Sequence, residues 1–371
     1  MSTLALPGRG TAQTPPNRYE TLHVELDPHA RPENARALAE DGTTWQDPDF
    51  PPPRLRTHFL RDHSRTILSK NHSPDIGFDW SINPYRGCEH GCVYCYARPT
   101  HEKLGFNAGS DFESRILVKE DAPAQLRRAL AAKKWKGEVI ALSGATDCYQ
   151  PVERQLRLTR SCLEVLVEAR NPVVIITKSS LVARDVDLLK ALAKHKAAQV
   201  RISITTLDPD LARRLEPRAS SPARRLEAVR RLADAGIPTG VIAAPIIPGL
   251  NDSEMPAILG AAAEAGAQSA SWTLLRLPEP VDKLFLDWLE RHRPLARRKI
   301  ENLIRETRAG KLSQGGFGQR MRGEGEYAKQ LDALFRASAR RYGLDAPLPL
   351  LETRGFRRPK ASRSQLALAI A

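Results

Sequence analysis

Residues 173–205 read VVIITKSSLVARDVDLLKALAKHKAAQVRISIT: a β-branched run at Val173–Thr177, an amphipathic stretch of helical length (LLKALAKH), and a second β-branched run at Val200–Thr205. Strand, helix and strand in that order build a parallel pair with the helix packed outside it. The same alternation extends in both directions. Upstream lie strand candidates at Trp80–Asn83 and Val139–Ser143 (VIALS), and downstream at Val241–Ile247 (VIAAPII) and Trp272–Leu277 (WTLLRL). Between them ERQLRLTRSCLEVLVEAR (153–170) and ARRLEAVRRLADAG (223–236) carry apolar residues three and four apart, with Gly236 placed as a C-cap. About six such units predict an α/β protein, an incomplete barrel or a doubly wound sheet, with polar residues at the carboxyl ends of the strands forming the site.

The chain has 371 residues, 41% hydrophobic and 27% charged, enough for one barrel-sized domain with appendages. Residues 1–55 are rich in Pro, Arg and polar residues without a sustained period, and are expected to be a mobile arm. The core is expected over 56–280 and a helical C-terminal extension over 281–345, where KLFLDWLERH, ARRKIENLIRETR and AKQLDALFRASARRYGL have helical patterns. Residues 346–371 read as a basic tail. The net charge is +14, and residues 281–371 hold twenty basic against ten acidic side chains, which suits a polyanionic partner or a solvated face. No apolar run approaches the ~18 residues a membrane span needs, and the N-terminus lacks a secretory pattern. A soluble, cytoplasmic protein without a membrane partner is expected.

Five cysteines in such a chain argue against a disulfide framework, and three fall within eight residues. Cys88-Glu-His-Gly-Cys92-Val-Tyr-Cys95 follows one strand candidate, precedes an expected helix, and contains Gly91 with Gly87 just before it. A loop of this kind can converge three thiolates, the soft ligands an iron–sulfur cluster requires. A fourth iron would then lack a protein ligand and could bind a small molecule through nitrogen and oxygen. A structural zinc would need a fourth ligand, and His90, His101, Cys148 and Cys162 are the candidates, none at a zinc-finger spacing. Glu89 and His90 are otherwise expected on the loop surface.

The Cys-x3-Cys-x2-Cys array with Tyr94 before its third cysteine is similar to the signature of the radical S-adenosylmethionine superfamily. With NPYRGCEHGCVYCYARPTH (83–101), SGATDCYQPVE (143–153) and PIIPGLND (245–252), the chain resembles the branch that includes spore photoproduct lyase and proteins described as DNA repair photolyases. The resemblance spans roughly residues 75–345 and implies a partial (β/α)6 barrel. It implies that Cys88, Cys92 and Cys95 hold a [4Fe-4S] cluster whose free iron binds the amino and carboxylate groups of S-adenosylmethionine. One-electron reduction would yield methionine and a 5′-deoxyadenosyl radical, with a low-potential donor of flavodoxin or ferredoxin type as a partner.

The resemblance also suggests site residues. Tyr94 belongs to the signature. Ser143 and Asp147, at the end of the VIALS strand, occupy the position that contacts the methionine amino group, although SGATD departs from the usual Gly-Gly-Glu and ordinary turn chemistry explains the same residues. Lys178 closes the VVIIT strand and could pair with the methionine carboxylate. Arg201, Ser203 and Thr205 share a strand face, with Ser203 or Thr205 offered to the ribose. Ile246 and Ile247 match a segment that packs adenine, as core residues also would. Cys148 resembles a hydrogen-donating cysteine but is displaced a few positions from the family pattern. Cys162 lies on an apolar helix stripe and reads as core.

Tyr149, Gln150 and Glu153 could frame a substrate pocket, and the glycine-rich SQGGFGQRMRGEGEY (313–327) could grip phosphate through Arg320 and Arg322 or serve as a lid or connector. The leading functional reading is a radical enzyme acting on nucleic acid, such as a damaged base. The alternatives are a nucleic-acid-binding protein with a structural metal on the cysteines, and a radical enzyme acting on a peptide or metabolite.

Overall fold

Short β-branched runs separated by amphipathic helices can bury both faces of a sheet, and the runs pair in parallel as that pattern requires. The computed structural model describes residues 8–19, 56–142, 144–313 and 316–360. Five short strands come first: β1 (His58–Arg61), β2 (Leu68–Lys70), β3 (Trp80–Ile82), β4 (Tyr85–Arg86) and β5 (Arg115–Val118). Five more follow: β6 (Ile140–Leu142), β7 (Val173–Thr177), β8 (Ala198–Ile204), β9 (Thr239–Ile246) and β10 (Ser269–Leu274). The main sheet runs β10-β9-β8-β7-β6-β3-β2, parallel from β10 to β3, with β2 antiparallel at one edge. Its six parallel strands coincide with the six sequence candidates to within a few residues at each end. A smaller sheet, β1-β5-β4, was not foreseen: its strands are two to four residues long, too short for a period to show.

The helices are α1 (Ser110–Ser114), α2 (Ala122–Ala131), α3 (Glu153–Leu156), α4 (Leu158–Ala169), α5 (Val186–Ala193), α6 (Pro209–Leu215), α7 (Pro222–Asp234) and α8 (Met255–Glu264). The stretch 153–170, read as one helix, is two. Arg157 turns into the left-handed region at φ 51°, and this lets the Glu153 carboxylate fold back to accept from the amide nitrogens of Thr159 (2.9 Å) and Arg160 (3.3 Å). Glu153 thus caps α4, where a carboxylate meets the positive end of the helix. Leu156 is consequently exposed, while Cys162, Leu163, Val165 and Leu166 face the core. Gly236 closes α7 at φ 74°, its amide bonded to Ala233, as expected of a C-cap.

The extension is helical as predicted: α9 (Val281–His292), α10 (Arg297–Glu306) and α11 (Gly325–Arg341). Val281, Phe285, Trp288, Leu289, Ile300 and Ile304 form a second core with Cys92, Val93 and Tyr94, so the extension supports the cysteine loop from below. The glycine-rich segment joins the two edges of the open sheet. Met321 O accepts from Leu274 N on β10 (2.9 Å), while Gly318 N donates to Asp75 (2.6 Å) and Arg320 pairs with Asp75 and Ser73 beyond β2. Arg322 stacks on Trp272, 4.8 Å from the ring centre. Both arginines are therefore engaged in structure, which answers the phosphate-gripping reading in favour of a connector.

Residues 346–360 of the expected tail dock at the opposite end of the barrel. Gln199 Nε2 donates to Pro349 O (2.6 Å), Glu352 N to Lys196 O (2.9 Å) and Arg357 N to Ala169 O (2.7 Å). Among the described residues, no helix is long and apolar enough to cross a membrane.

Ile202 lies wholly buried at the middle of β8, between β7 and β9. Ile202→Ala is expected to lower stability by about 2–5 kcal/mol, read as a shift of the denaturant midpoint with the slope unchanged.

Candidate active site

The cysteine loop leaves the carboxyl end of β3 and turns back twice through left-handed glycines, Gly87 at φ 80° and Gly91 at φ 68°. A Cβ at Gly87 would lie 2.9 Å from the His101 ring and 3.0 Å from Phe112 O, and one at Gly91 would lie 2.8 Å from the Glu113 carboxylate. Only glycine satisfies both the backbone angle and the space. The chain after Cys95 forms two 3-10 turns, Arg98–Thr100 and Glu102–Leu104, rather than the expected helix. Pro99 and the left-handed Gly105 keep the turns short.

The loop is pinned from several sides. Arg98, fully buried, donates to Cys92 O (2.8 and 3.0 Å), Gly109 O (2.9 Å) and the Glu113 carboxylate (2.5 Å). Thr146 Oγ1 and Gln150 Nε2 both donate to Gly87 O (2.6 and 3.2 Å), and Gln150 Oε1 accepts from Glu89 N (2.9 Å). The Glu89 carboxylate accepts from Val152 N (2.7 Å) and pairs with Arg218 (2.9 Å). Residues 8–19, within the expected arm, are seated on this loop: Gly10 N donates to Glu113 (2.9 Å) and Arg18 pairs with Glu102 (2.7 Å).

Glu89 and His90 were expected on the loop surface, and both are buried. Each has a polar partner inside: Glu89 the set above, and His90 the Asp147 carboxylate, 3.5 Å from its Nδ1. Burial lowers the His90 pKa from its ordinary value against the opposing pull of Asp147. His101, offered as a fourth zinc ligand, instead donates from Nε2 to Arg115 O (2.9 Å) and packs on Phe106 and Phe112; burial brings its pKa to about 4.

All five cysteines are free. Burial raises the pKa of each thiol in the loop; Asp147 adds to this at Cys88 and Glu216 at Cys92, while Arg98 opposes it at Cys95. Bare thiolates are therefore disfavoured here, and a bound cation that replaces their protons would be needed to hold them ionised. Among the described residues no three His, Cys, Asp or Glu side chains meet at one ion-sized point, the geometry a zinc site requires. A cubane makes no such demand, because each thiolate binds a different iron. Three soft donors on one loop, Cys88 and Cys92 buried and Cys95 half-buried, therefore fit the iron–sulfur group.

Beside the loop, the strand ends hold a buried polar network that the sequence reading did not single out. Glu216, just after α6, accepts hydrogen bonds from Tyr94 and Thr205, forms an ion pair with Arg225, and lies 3.5 Å from Lys178 Nζ. Burial would raise its carboxyl pKa, but Arg225 and Lys178 together hold it down at about 2. Lys178 also donates to Ala244 O (2.9 Å) and Thr205 (3.3 Å) and lies 5.8 Å from the centre of the Tyr94 ring. Arg225 donates to Ser203 O (3.0 Å) and Ser220 O (2.7 Å). Tyr94, Lys178 and Thr205, named separately from sequence, thus meet around one carboxylate, and Ser203 joins them only through its backbone oxygen on Arg225.

Asp147 is tied to its surroundings by three donors, Tyr149 N (2.9 Å), Thr177 Oγ1 (2.7 Å) and Lys178 N (2.8 Å), and lies 3.5 Å from His90 Nδ1. Ser143 lies outside the described residues. Ile246 belongs to the main core and Ile247 to the core beneath Cys92–Tyr94. Cys148 is enclosed in the main core, its thiol 3.9 Å from Leu142 O, and Cys162 is core as read. Tyr149 and Glu153 are engaged with Asp185 (3.1 Å) and with Tyr85 (2.5 Å), so Glu153 does not frame an open pocket. Glu216 and Arg225 were hidden because two charges in a helix-rich, arginine-rich stretch look like a solvated face. Their one signal is the Pro that follows Glu216, which ends a helix there.

Glu216→Gln leaves Arg225 buried without its counter-charge and is expected to cost about 3–5 kcal/mol at neutral pH. Because the folded carboxyl pKa is depressed, that difference is full above its ordinary value of 4.5 and shrinks as pH falls through about 2. Denaturant titrations of both proteins across that window measure it.

Residues 82–262 match the family model described as the radical SAM superfamily. An uncharacterised protein of Mycobacterium tuberculosis is 36% identical over 221 residues, 59% of this chain and 65% of that protein. The protein named radical SAM Nalpha-GlyT isomerase, from Pseudomonas phage M6, is 26% identical over 168 residues, 45% of this chain and 33% of its own. Among solved structures, spore photoproduct lyase complexed with dinucleoside spore photoproduct has the same fold: TM-score 0.55 and 20% identity, covering 76% of this chain and 79% of that one.

Proposed function

We propose that this chain, whose residues 82–262 match the radical SAM superfamily model, is a radical enzyme that binds a [4Fe-4S] cluster and S-adenosylmethionine and acts on a nucleic-acid substrate. The observation that carries the reading is one loop bearing three thiols, Cys88 and Cys92 buried and Cys95 half-buried, at the carboxyl ends of six parallel strands, next to a charged network with Lys178 at its partly exposed end.

Cys88, Cys92 and Cys95 would hold three irons and leave the fourth to the amino and carboxylate groups of S-adenosylmethionine. When bound, the pair supplies a low-potential electron, delivered by a flavodoxin- or ferredoxin-type donor, and a 5′-deoxyadenosyl radical that abstracts hydrogen from substrate. The protein's own part is to bind, orient and shield. Lys178, 16% exposed, presents its ammonium to the methionine carboxylate, and Glu216 keeps that ammonium in place from behind. Thr205 and Ser203 line the strand end offered to the ribose. Asp147 acts through the groups it holds: it fixes the backbone of Lys178 and the side chain of Thr177, so the end of β7 stays set against the end of β6. Tyr94 braces Glu216 beneath the loop. Cys148, enclosed in the core, has no part in this scheme.

A nucleic-acid substrate is supported by the excess of basic side chains in residues 281–371 and by the ligand of one protein of the same fold, a lyase complexed with a dinucleoside photoproduct.

The protein purified anaerobically is expected to be brown, with close to four irons and four sulfides per chain. After dithionite reduction with S-adenosylmethionine it should release 5′-deoxyadenosine, and Cys92→Ala should abolish both colour and product. A colourless protein with one zinc and no cleavage would sink the reading. Lys178→Ala should keep the visible spectrum and raise KM for S-adenosylmethionine about tenfold or more, the worth of one charge-assisted hydrogen bond.

A further inference from the structure

A cavity of about 270 Å3 opens among three segments on the strand-end side of the barrel: 149–154, which runs from β6 into α3, 179–180 after β7, and 218–224, which runs into the first turn of α7. His90 contributes to its wall from the cysteine loop, but Cys88, Cys92, Cys95, Lys178 and Thr205 do not line it. It is therefore separate from the residues assigned above to the cluster and S-adenosylmethionine.

We propose that this cavity is a phosphate-binding site that takes the phosphate of a nucleotide unit. Arg154, Arg218 and Arg224 line it, and no Asp or Glu does. Arg218 is fixed in the wall by its pair with Glu89 (2.9 Å). Arg154 and Arg224 are exposed and have no hydrogen-bond or ion-pair partner for their guanidinium groups among the described residues. Two uncompensated cations in a concavity without carboxylates favour an anion, and guanidinium forks match phosphate oxygens in pairs.

Hydroxyls complete the donor set. Ser221 is the N-cap of the thirteen-residue α7, yet its side chain makes no capping bond, so its hydroxyl and the positive helix end both remain for a ligand. Ser180 N donates to Ser220 Oγ (2.8 Å), and the two hydroxyl oxygens lie 3.1 Å apart, which joins two of the walls before any ligand arrives. Donors from three segments exceed what the two oxygens of a carboxylate can use and suit the several oxygens of a phosphate. The volume exceeds that of a bare phosphate and leaves room for an attached sugar. Neither the cluster nor S-adenosylmethionine is required for this binding, so the inference stands apart from the radical reading.

Calorimetric titration of the full chain with thymidine 5′-monophosphate, thymidine and a 5′-hydroxyl thymidine dinucleotide tests it. The monophosphate should bind and thymidine should not. The double variant Arg154→Gln/Arg224→Gln should weaken the monophosphate at least about tenfold, whereas Arg213→Gln/Arg230→Gln, which removes the same charge from an exposed surface elsewhere, should leave it unchanged. Cys92→Ala should bind the monophosphate like the parent, whatever becomes of the radical chemistry. If the dinucleotide competes with the monophosphate, the site accepts a phosphodiester backbone; if it does not compete, the site is specific for a terminal phosphate, and the inference stands in both cases. Equal binding of thymidine and its monophosphate, undiminished affinity in the Arg154/Arg224 variant, or no binding of the monophosphate at millimolar concentration would overturn it.

Discussion

Three thiols can be presented together only if the backbone between them is held against its own tendency to relax, and this constraint organises much of the surrounding structure. Two left-handed glycines make the turns, and Arg98 then clamps Cys92 O with a guanidinium that is itself fully buried and paired with Glu113. A buried charge in that position is tolerable only because its donors are used on carbonyls and a carboxylate. Gln150 and Thr146 hold Gly87 O from the β6 side, α9 and α10 pack beneath Cys92–Tyr94, and residues 8–19 lie on top. The extension and the N-terminal segment are thus parts of the site's scaffold.

The same loop separates two electrostatic settings. On one side Glu216 concentrates negative charge in a buried position, balanced by Arg225 and Lys178, so that a lysine is held at the strand ends with its ammonium fixed. On the other, around His90, arginines and serines line a concavity from which carboxylates are absent. Arg225 belongs to the first setting and Arg224, its neighbour on α7, to the second. One helical step therefore directs two like charges to opposite tasks, one neutralised in the interior and one left facing solvent.

The glycine-rich segment shows how an open sheet is completed without another strand. β10 and β2 end the sheet as its edges, and residues 316–323 reach from the backbone of one to Asp75 beyond the other. The arginines that make this stretch look like a phosphate grip are used up in the bridge and in stacking on Trp272. Arginines that line a concavity without a partner lie elsewhere, at Arg154 and Arg224, in helical stretches where they resemble any surface charge.

Sequence alone determined the features that follow from local pattern. The six parallel strands show as β-branched runs because strands buried on both faces are apolar throughout, the extension helices show their period, and Cys88, Cys92 and Cys95 are set by spacing on one loop. Lys178, Thr205 and Tyr94 were legible as strand-end or motif residues. Their convergence on Glu216 was not, because a carboxylate's partners are fixed by how α6 and α7 pack over the strand ends, and that leaves no period in the chain. The tertiary structure likewise decided that Glu89 and His90 are interior, that Glu153 caps a helix, and that residues 8–19 cover the cysteine loop. In each case the deciding contact joins positions distant along the chain or depends on a backbone turn, such as that at Arg157, which neither hydrophobic period nor composition records.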